Sequence, residues 1–326
     1  MPVVSAPDVF NGCSPNGEAG LSGVSFIVTV YNKLPFLSGV LGAIRAQRGD
    51  FAREYVLVDD GSTDGSLDFL RRATTAWESC RIIAQRNRGA SAAMNAAVAA
   101  ATLPYLKLVD ADDILAPDAT LRLYNALTES GAILAIGRGA HYELGQACNW
   151  TSHDEPVEWR LLHKPLKRML HGNTLMNPTA MLLRRDDYLR VGGADEDVCC
   201  QDYSIALRLS QLGDFVCVPT IVALQPVSAP RRLTDNQARI LHDVTMALGH
   251  FVECHPELPT RLKAYALQRA AMRAMLWTKR RGHGKNQLRY ALIAFAARFS
   301  TVPDPAKAIL RCCDAFNYKP RATLGD

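Results

Sequence analysis

The chain has 326 residues, 48% hydrophobic and 21% charged, a composition that suits one large domain with an appendage or two modest ones. No stretch approaches the roughly 20 apolar residues that cross a bilayer, the start lacks the basic and apolar regions of a signal peptide, and nine cysteines without a CxxC spacing fit reduced thiols rather than disulfides or structural zinc. The formal charge of +5 is uneven, because 261–326 holds 14 Lys and Arg against 3 Asp and Glu while the remainder is net acidic.

Residues 1–22, rich in Gly, Pro, Ser and Asn, are expected to form a flexible tail. From there the pattern alternates. Apolar strand candidates at 24–30, 55–59, 81–84, 105–110 and 132–136 are separated by helix-like stretches near 35–47, 64–77, 90–101 and 117–128. Continuous apolar strands with helices between them predict a mainly parallel, Rossmann-like sheet flanked by helices. The strands end in polar residues: Tyr31–Asn32, Asp59–Asp60 and Asp110–Asp113. Ligands of open α/β sheets bind at such carboxyl ends. Residues 138–175 show no sustained period and read as an irregular segment. A strand at 179–184, a Gly192–Gly193 turn, a helix near 201–212 and a strand at 215–219 follow. Beyond Leu233 the chain reads as helical, broken at Pro256, Pro259, Pro303 and Pro305.

Three carboxylates at 110, 112 and 113 on one strand end are unfavourable unless a positive group neutralises them. Mg²⁺ or Mn²⁺ favours such oxygens and bridges to a diphosphate. Asp110 and Asp112 share a face if the chain stays extended; solvated turn carboxylates are the plainer alternative. Asp59–Asp60–Gly61–Ser62 has the form of a strand end, a glycine turn and a helix cap, with a carboxylate able to accept from a base or ribose. Tyr31 offers a flat face for a base, or sits half-buried at the rim. No GxGxxG follows the first strand, against a dinucleotide-binding dehydrogenase.

Together, SFIVTVYNK, the DDGS at Asp59–Ser62, Asn87–Arg88–Gly89 with Asn95, the Asp110–Ala111–Asp112 DxD and MLLRRDDYLRVGGADEDVCCQDYSIALRL resemble, in order and spacing, the family 2 inverting glycosyltransferases. The resemblance implies the GT-A fold, with a catalytic domain over 23–225 (nucleotide half 23–137, acceptor half 138–225) and a basic α-helical region over 226–326. It implies transfer of a sugar from a nucleotide-diphosphate donor, a UDP-sugar by family habit, to a glycan or lipid-linked acceptor in bacterial surface polysaccharide synthesis. Thr29, Tyr31, Asp60 and Asn87 are then expected at the nucleotide, Asp110 at the ribose, Asp112 on Mn²⁺ or Mg²⁺, and Asp202 as the base that deprotonates the acceptor.

The sequence departs from the family in places. Gln201 replaces the usual Glu before the base, Met94 replaces an Arg before Asn95, and the stretch after Pro219 lacks a His, leaving Arg231 and Arg232 as phosphate contacts or a solvated turn. Gln201 and Met94 motivate the alternative of a weak or inactive module that binds nucleotide or glycan. A nucleotidyltransferase is disfavoured, because no Gly-rich basic loop follows the first strand. Leu276 and Trp277 beside Lys279–Arg281 suit a helix on an anionic membrane surface, or a helix packed on the catalytic domain with its basic face solvated. Sparse aromatics speak against nucleic acid. The expected location is cytoplasmic, including the inner face of the cell membrane.

Overall fold

The computed structural model describes residues 23–143, 150, 158–172, 176–227, 236–282 and 284–317. The expected tail over 1–22 and the pair Arg231–Arg232 lie outside the described residues.

The nucleotide half follows the alternation of the sequence: β1 (Gly23–Val30), α1 (Leu34–Arg45), β2 (Ala52–Asp59), α2 (Ser66–Ala73), β3 (Cys80–Ala84), α3 (Ala90–Ala100) and β4 (Tyr105–Asp110). These strands pair in parallel in the order β3-β2-β1-β4. Almost every residue of β1 is buried because helices cover both faces. Phe26 and Val28 enter one core with α1 and α4, whereas Ile27 enters the other with α3. That is the period-2 alternation of a strand buried on two sides.

The second half is β5 (Ile114–Leu115), α4 (Ala119–Ser130), β6 (Leu134–Tyr142), β7 (Arg160–Leu162), α5 (Leu166–Leu170), a 3-10 turn at Pro178–Ala180, β8 (Met181–Arg184), α6 (Arg185–Arg190), α7 (Gln201–Leu209) and β9 (Phe215–Pro226). β8 runs antiparallel between β4 and β6, and β9 continues the sheet parallel to β6. The sheet is therefore parallel through β4 and mixed beyond it. Part of the expected irregular segment is ordered, since β6 extends to Tyr142 and β7 pairs with β9. The register of β6 on β9 jumps at Ile136–Arg138 and again at Arg138–Gly139, which destroys the alternation that would have announced a strand. The same jump carries β9 past Pro219, where no ladder bond is required of it.

Four helices complete the described chain: α8 (Gln237–Cys254), α9 (Thr260–Arg280), α10 (Gly284–Arg298) and α11 (Pro305–Arg311), then a 3-10 turn at Cys312–Phe316. The expected prolines separate α8 from α9 and α10 from α11. The break between α9 and α10 falls instead at Gly282, whose φ of +75° ends the helix. Ala247, Leu248, Phe251, Leu267 and Ala271 of α8 and α9 share one core with Ile27 and Leu108 of the sheet and Met94 of α3. Trp277 also faces inward, against Phe316 and under Arg281, rather than toward a surface. All seven described cysteines are free thiols.

Candidate active site

The carboxyl ends of β1, β2 and β4 lie side by side, and the loops that leave them are tied together. Beyond β1, Tyr31 is 47% exposed and Asn32 takes a left-handed φ of +53°. The N–H groups of Asn32, Lys33 and Leu34 donate to Ser62 Oγ (2.9 Å), Ser66 Oγ (3.1 Å) and Asp64 Oδ2 (3.0 Å). Thr63 N returns a bond to Asn32 Oδ1 at 2.8 Å. Ser62, Asp64 and Ser66 thus satisfy the backbone that opens α1, a use of short polar side chains expected at a helix start.

Asp60 is buried at the end of β2, and its N–H donates to Val30 O at 2.8 Å. Its carboxylate accepts from Gln85 Nε2 (2.7 Å), Arg88 N (2.9 Å) and Gly89 N (2.9 Å). Three of roughly four acceptor positions are filled by protein donors. Asp60 therefore holds the turn that presents the exposed Asn87. Gly61 lies against this turn with φ +76°, and a Cβ there would sit 2.8 Å from Asn87 N. Only glycine fits.

Thr29 is partly exposed and lies opposite Asp110 in the β1–β4 register. β4 ends at Asp110 and the chain turns through Ala111 and Asp112, so the extended alternation expected across 110–112 does not continue. Asp110 N donates to Thr179 Oγ1 (2.9 Å), and Asn177 Nδ2 donates to Asp113 Oδ2 (3.1 Å). Burial first, then the charges of Asp113, Asp112 and Asp202, pushes the Asp110 carboxyl well above the usual range, with Lys33 opposing. Lys33 Nζ meets Asp112 Oδ2 at 2.5 Å. Beneath the run, the fully buried Lys107 rests its ammonium on the carbonyls of Leu108, Thr179 and Met181. Burial lowers its pKa to about 7, and Asp113 and Asp110 pull against that.

The acidic run thus gathers cationic groups, as its electrostatics require. Asp112 fits a divalent cation in that its partly exposed carboxylate already attracts a positive group, and Mg²⁺ or Mn²⁺ is commonly held by one or two carboxylates plus substrate phosphates. Lys33 would have to yield for a metal to take its place.

Asp202 lies in the first turn of α7, and burial raises its pKa to about 6, while the N–H groups of Tyr203 and Asp202 oppose. The loop before it is clamped from several sides. Asn95 Oδ1 accepts from Tyr188 Oη (2.6 Å) and Ala194 N (2.9 Å), and its Nδ2 donates to Ala194 O and Glu196 Oε1 (both 2.9 Å). From α8, Asp243 accepts Cys199 N at 2.9 Å, and His250 Nδ1 meets Asp195 Oδ2 at 2.9 Å. The ligand atoms of Asp195, Asp197 and His250 lie within 4.8 Å of one another, but the His250–Asp195 bond accounts for the convergence without an ion.

The hydrogen bond to Asp195 lifts the His250 pKa against burial; burial raises Asp195, but the His250 bond and charge outweigh it and leave Asp195 low. Stability from the raised histidine is full below about pH 6.5 and fades as pH rises through its folded pKa; stability from the lowered aspartate is full above about pH 4 and fades on acidification. His250→Ala is therefore expected to cost about 1–2 kcal/mol between those limits and less in alkali. Urea denaturation of both proteins at pH 6 and pH 9 measures the difference, and an equal cost at both would exclude the ion pair.

The fold brings the strand-end residues Thr29, Tyr31, Asp60, Asp110 and Asp112 to one sheet edge, and Asp202 close enough for its charge to reach Asp110. Sequence reasoning missed Lys33, Lys107, Asn177, Asp243 and His250. Lys33 was adjacent to the noted Tyr31–Asn32 pair. Asp243 and His250, seven apart on a helical pattern, shared a face. For Lys107 there was no signal: a lysine inside an apolar strand looks like an exposed position.

The glycosyl transferase family 2 profile matches residues 25–193. The poly(ribitol-phosphate) beta-glucosyltransferase of Bacillus spizizenii is 32% identical over 120 residues, 35% of this chain and 19% of that enzyme. Matches to three such curated relatives span 19 to 54% of their length. In overall structure the chain is similar to Staphylococcus aureus TarS 1–349 in complex with UDP-GlcNAc (TM-score 0.56, 14% identity, 86% of this chain and 93% of that one). It is likewise similar to the mannosyltransferase PcManGT of Pyrobaculum calidifontis in complex with GDP-Man and Mn²⁺ (TM-score 0.54, 19% identity, 91% and 86%). The fold is that of GT-A enzymes. With the profile covering more than half its length, the chain belongs to glycosyl transferase family 2.

Proposed function

We propose that the chain is an inverting, divalent-metal-dependent glycosyltransferase that moves a sugar from a nucleotide-diphosphate donor, a UDP-sugar by preference, to a hydroxyl of a glycan or lipid-linked acceptor in bacterial surface polysaccharide synthesis. The observation that carries the reading is the convergence of the carboxyl ends of β1, β2 and β4, which sets Thr29 opposite Asp110 and ties Asp60 to the end of β1. In this reading Asp202, on the acceptor side, and the DxD run at the end of β4 serve one reacting centre, and the contribution of the Asp202 charge to raising Asp110 is in keeping with it.

Each residue has a chemical role in this reading. Tyr31 supplies a face for the base, beside Thr29 and Asn87. Asp60 keeps one acceptor position for a base N–H after holding its turn. Asp110 accepts from the ribose; its raised pKa suits a group that needs a neutralising neighbour. Asp112 holds the metal, and the relative solved with Mn²⁺ supports that choice of ion. A bound cation there would stabilise the negative charge that develops on the leaving diphosphate. Asp202 takes the proton of the acceptor hydroxyl as that oxygen bonds to the anomeric carbon and the bond to the diphosphate oxygen breaks on the opposite face. The donor preference draws on the TarS complex with UDP-GlcNAc, and the polymeric acceptor on the poly(ribitol-phosphate) relative.

We further propose a catalytic domain over 23–225 with a helical region over 226–326 docked on it. Met94 is 2% exposed and Gln201 7% exposed, and the alternative of a weak or inactive module rests on these two buried departures from the family.

A panel of nucleotide sugars with Mn²⁺, read by thermal stabilisation, tests the donor. A shift of several degrees is expected with a UDP-sugar and not with the UDP-sugar plus chelator. Equal stabilisation with chelator would remove metal dependence, and a shift confined to GDP-sugars would overturn the base preference.

A further inference from the structure

α10 is turned inside out. Its buried positions are Tyr290, Ala294 and Ala297, set against α9, mostly small side chains. Its large apolar side chains point away: Leu288, Leu292, Phe295 and Phe299 are 59 to 63% exposed. They recur at steps of four, three and four residues, which places them in one stripe along the helix. Phe295 and Phe299 touch edge to face, their rings 5.2 Å apart, so the stripe is continuous at that end. Water contact with such a row is unfavourable, and contiguous apolar patches of this kind mark interaction sites.

The charge around the stripe indicates what covers it. Between Glu257 and Asp304 there is no acidic residue, while ten Lys and Arg occur. Lys279, Arg280 and Arg281 at the end of α9, and Arg289 and Arg298 on α10, are exposed. A second copy of this chain laid on the stripe would bring this excess of like charge together. An apolar partner with a negative rim fits instead. No described helix is long and apolar enough to span a membrane.

We infer that α10 lies in the surface of an anionic lipid bilayer, with Leu288, Leu292, Phe295 and Phe299 among the acyl chains and the flanking arginines at the headgroups. Of the surface expected at Leu276 and Trp277, Trp277 faces the core and Leu276 is 47% exposed, and the apolar face inferred here lies a helix further on. It adds a reason for a lipid-linked acceptor to the proposed function but stands on α10 alone.

Vesicle sedimentation of the whole chain is the test, with phosphatidylcholine alone and with added phosphatidylglycerol. Binding is expected only to the anionic vesicles and is weakened by salt. The double substitution Leu292→Ser and Phe295→Ser should weaken it by on the order of tenfold or more, and Arg289→Gln with Arg298→Gln should reduce the preference for anionic lipid. All four residues are exposed, and unchanged circular dichroism and donor-induced thermal shift verify folding. Three outcomes overturn the inference: no sedimentation with anionic vesicles, full binding by the Leu292→Ser/Phe295→Ser protein, or a dimer in light scattering that those substitutions dissociate. Loss of donor binding in the unsubstituted chain would sink the proposed function and leave this one untouched.

Discussion

Asp202→Asn is expected to reduce transfer at least about a hundredfold, close to 3 kcal/mol of barrier, while leaving donor affinity unchanged. The amide keeps the shape and the N-terminal position in α7 but cannot take a proton from the acceptor. Burial holds the native carboxyl near pH 6, so the unsubstituted enzyme should gain activity as pH rises through about 6. Below that value Asp202 carries the proton it must accept, and above it the carboxylate is free. The Asn protein should show a flat residual rate over the same span. Single-turnover transfer, with calorimetry of the donor, separates the two quantities. Near-normal transfer by the Asn protein, or an unchanged acidic limb, would remove Asp202 from the chemistry.

The nucleotide half was legible because buried parallel strands write themselves as continuous apolar runs. β4 agrees residue for residue with its expected span, and β1 and β2 differ only at their starts. What failed lay where backbone irregularity overrides periodicity. The bulged pairing of β6 with β9 hid the extension of two strands expected to stop at 136 and 219, and Gly65, with its left-handed φ of +89°, delayed α2 to Ser66 although the helix-like stretch began at 64. The site residues were visible as strand-end motifs. Their supports were not: Asp243 and His250 act through contacts 44 and 55 positions away in sequence, and no single-chain pattern reports such distances. For α10 the sequence carried no expectation beyond helix, and only the packing shows that the bulky stripe is the face left outside.

Asp112→Ala should abolish the Mn²⁺-dependent part of donor affinity. The reason lies in the balance of charge at the end of β4. Asp112 is paired with Lys33, and both side chains are partly exposed, so the pair itself contributes only about 1 kcal/mol or less and its loss should not unfold the protein. The ammonium nonetheless occupies one carboxylate oxygen, so metal and lysine compete for the same group. Removing the carboxylate leaves Lys33 as the remaining cation near the diphosphate, and donor binding should persist at a reduced level that chelator no longer affects. Lys33→Met gives the converse: a free Asp112 should bind Mn²⁺ a few fold more tightly in the absence of donor, the size of a partly exposed ion pair. Calorimetry of Mn²⁺ and of donor on the three proteins resolves the two cations. Should Asp112→Ala keep full metal-dependent donor affinity, the ion is held elsewhere, and Asp112 serves only as the counter-charge of Lys33.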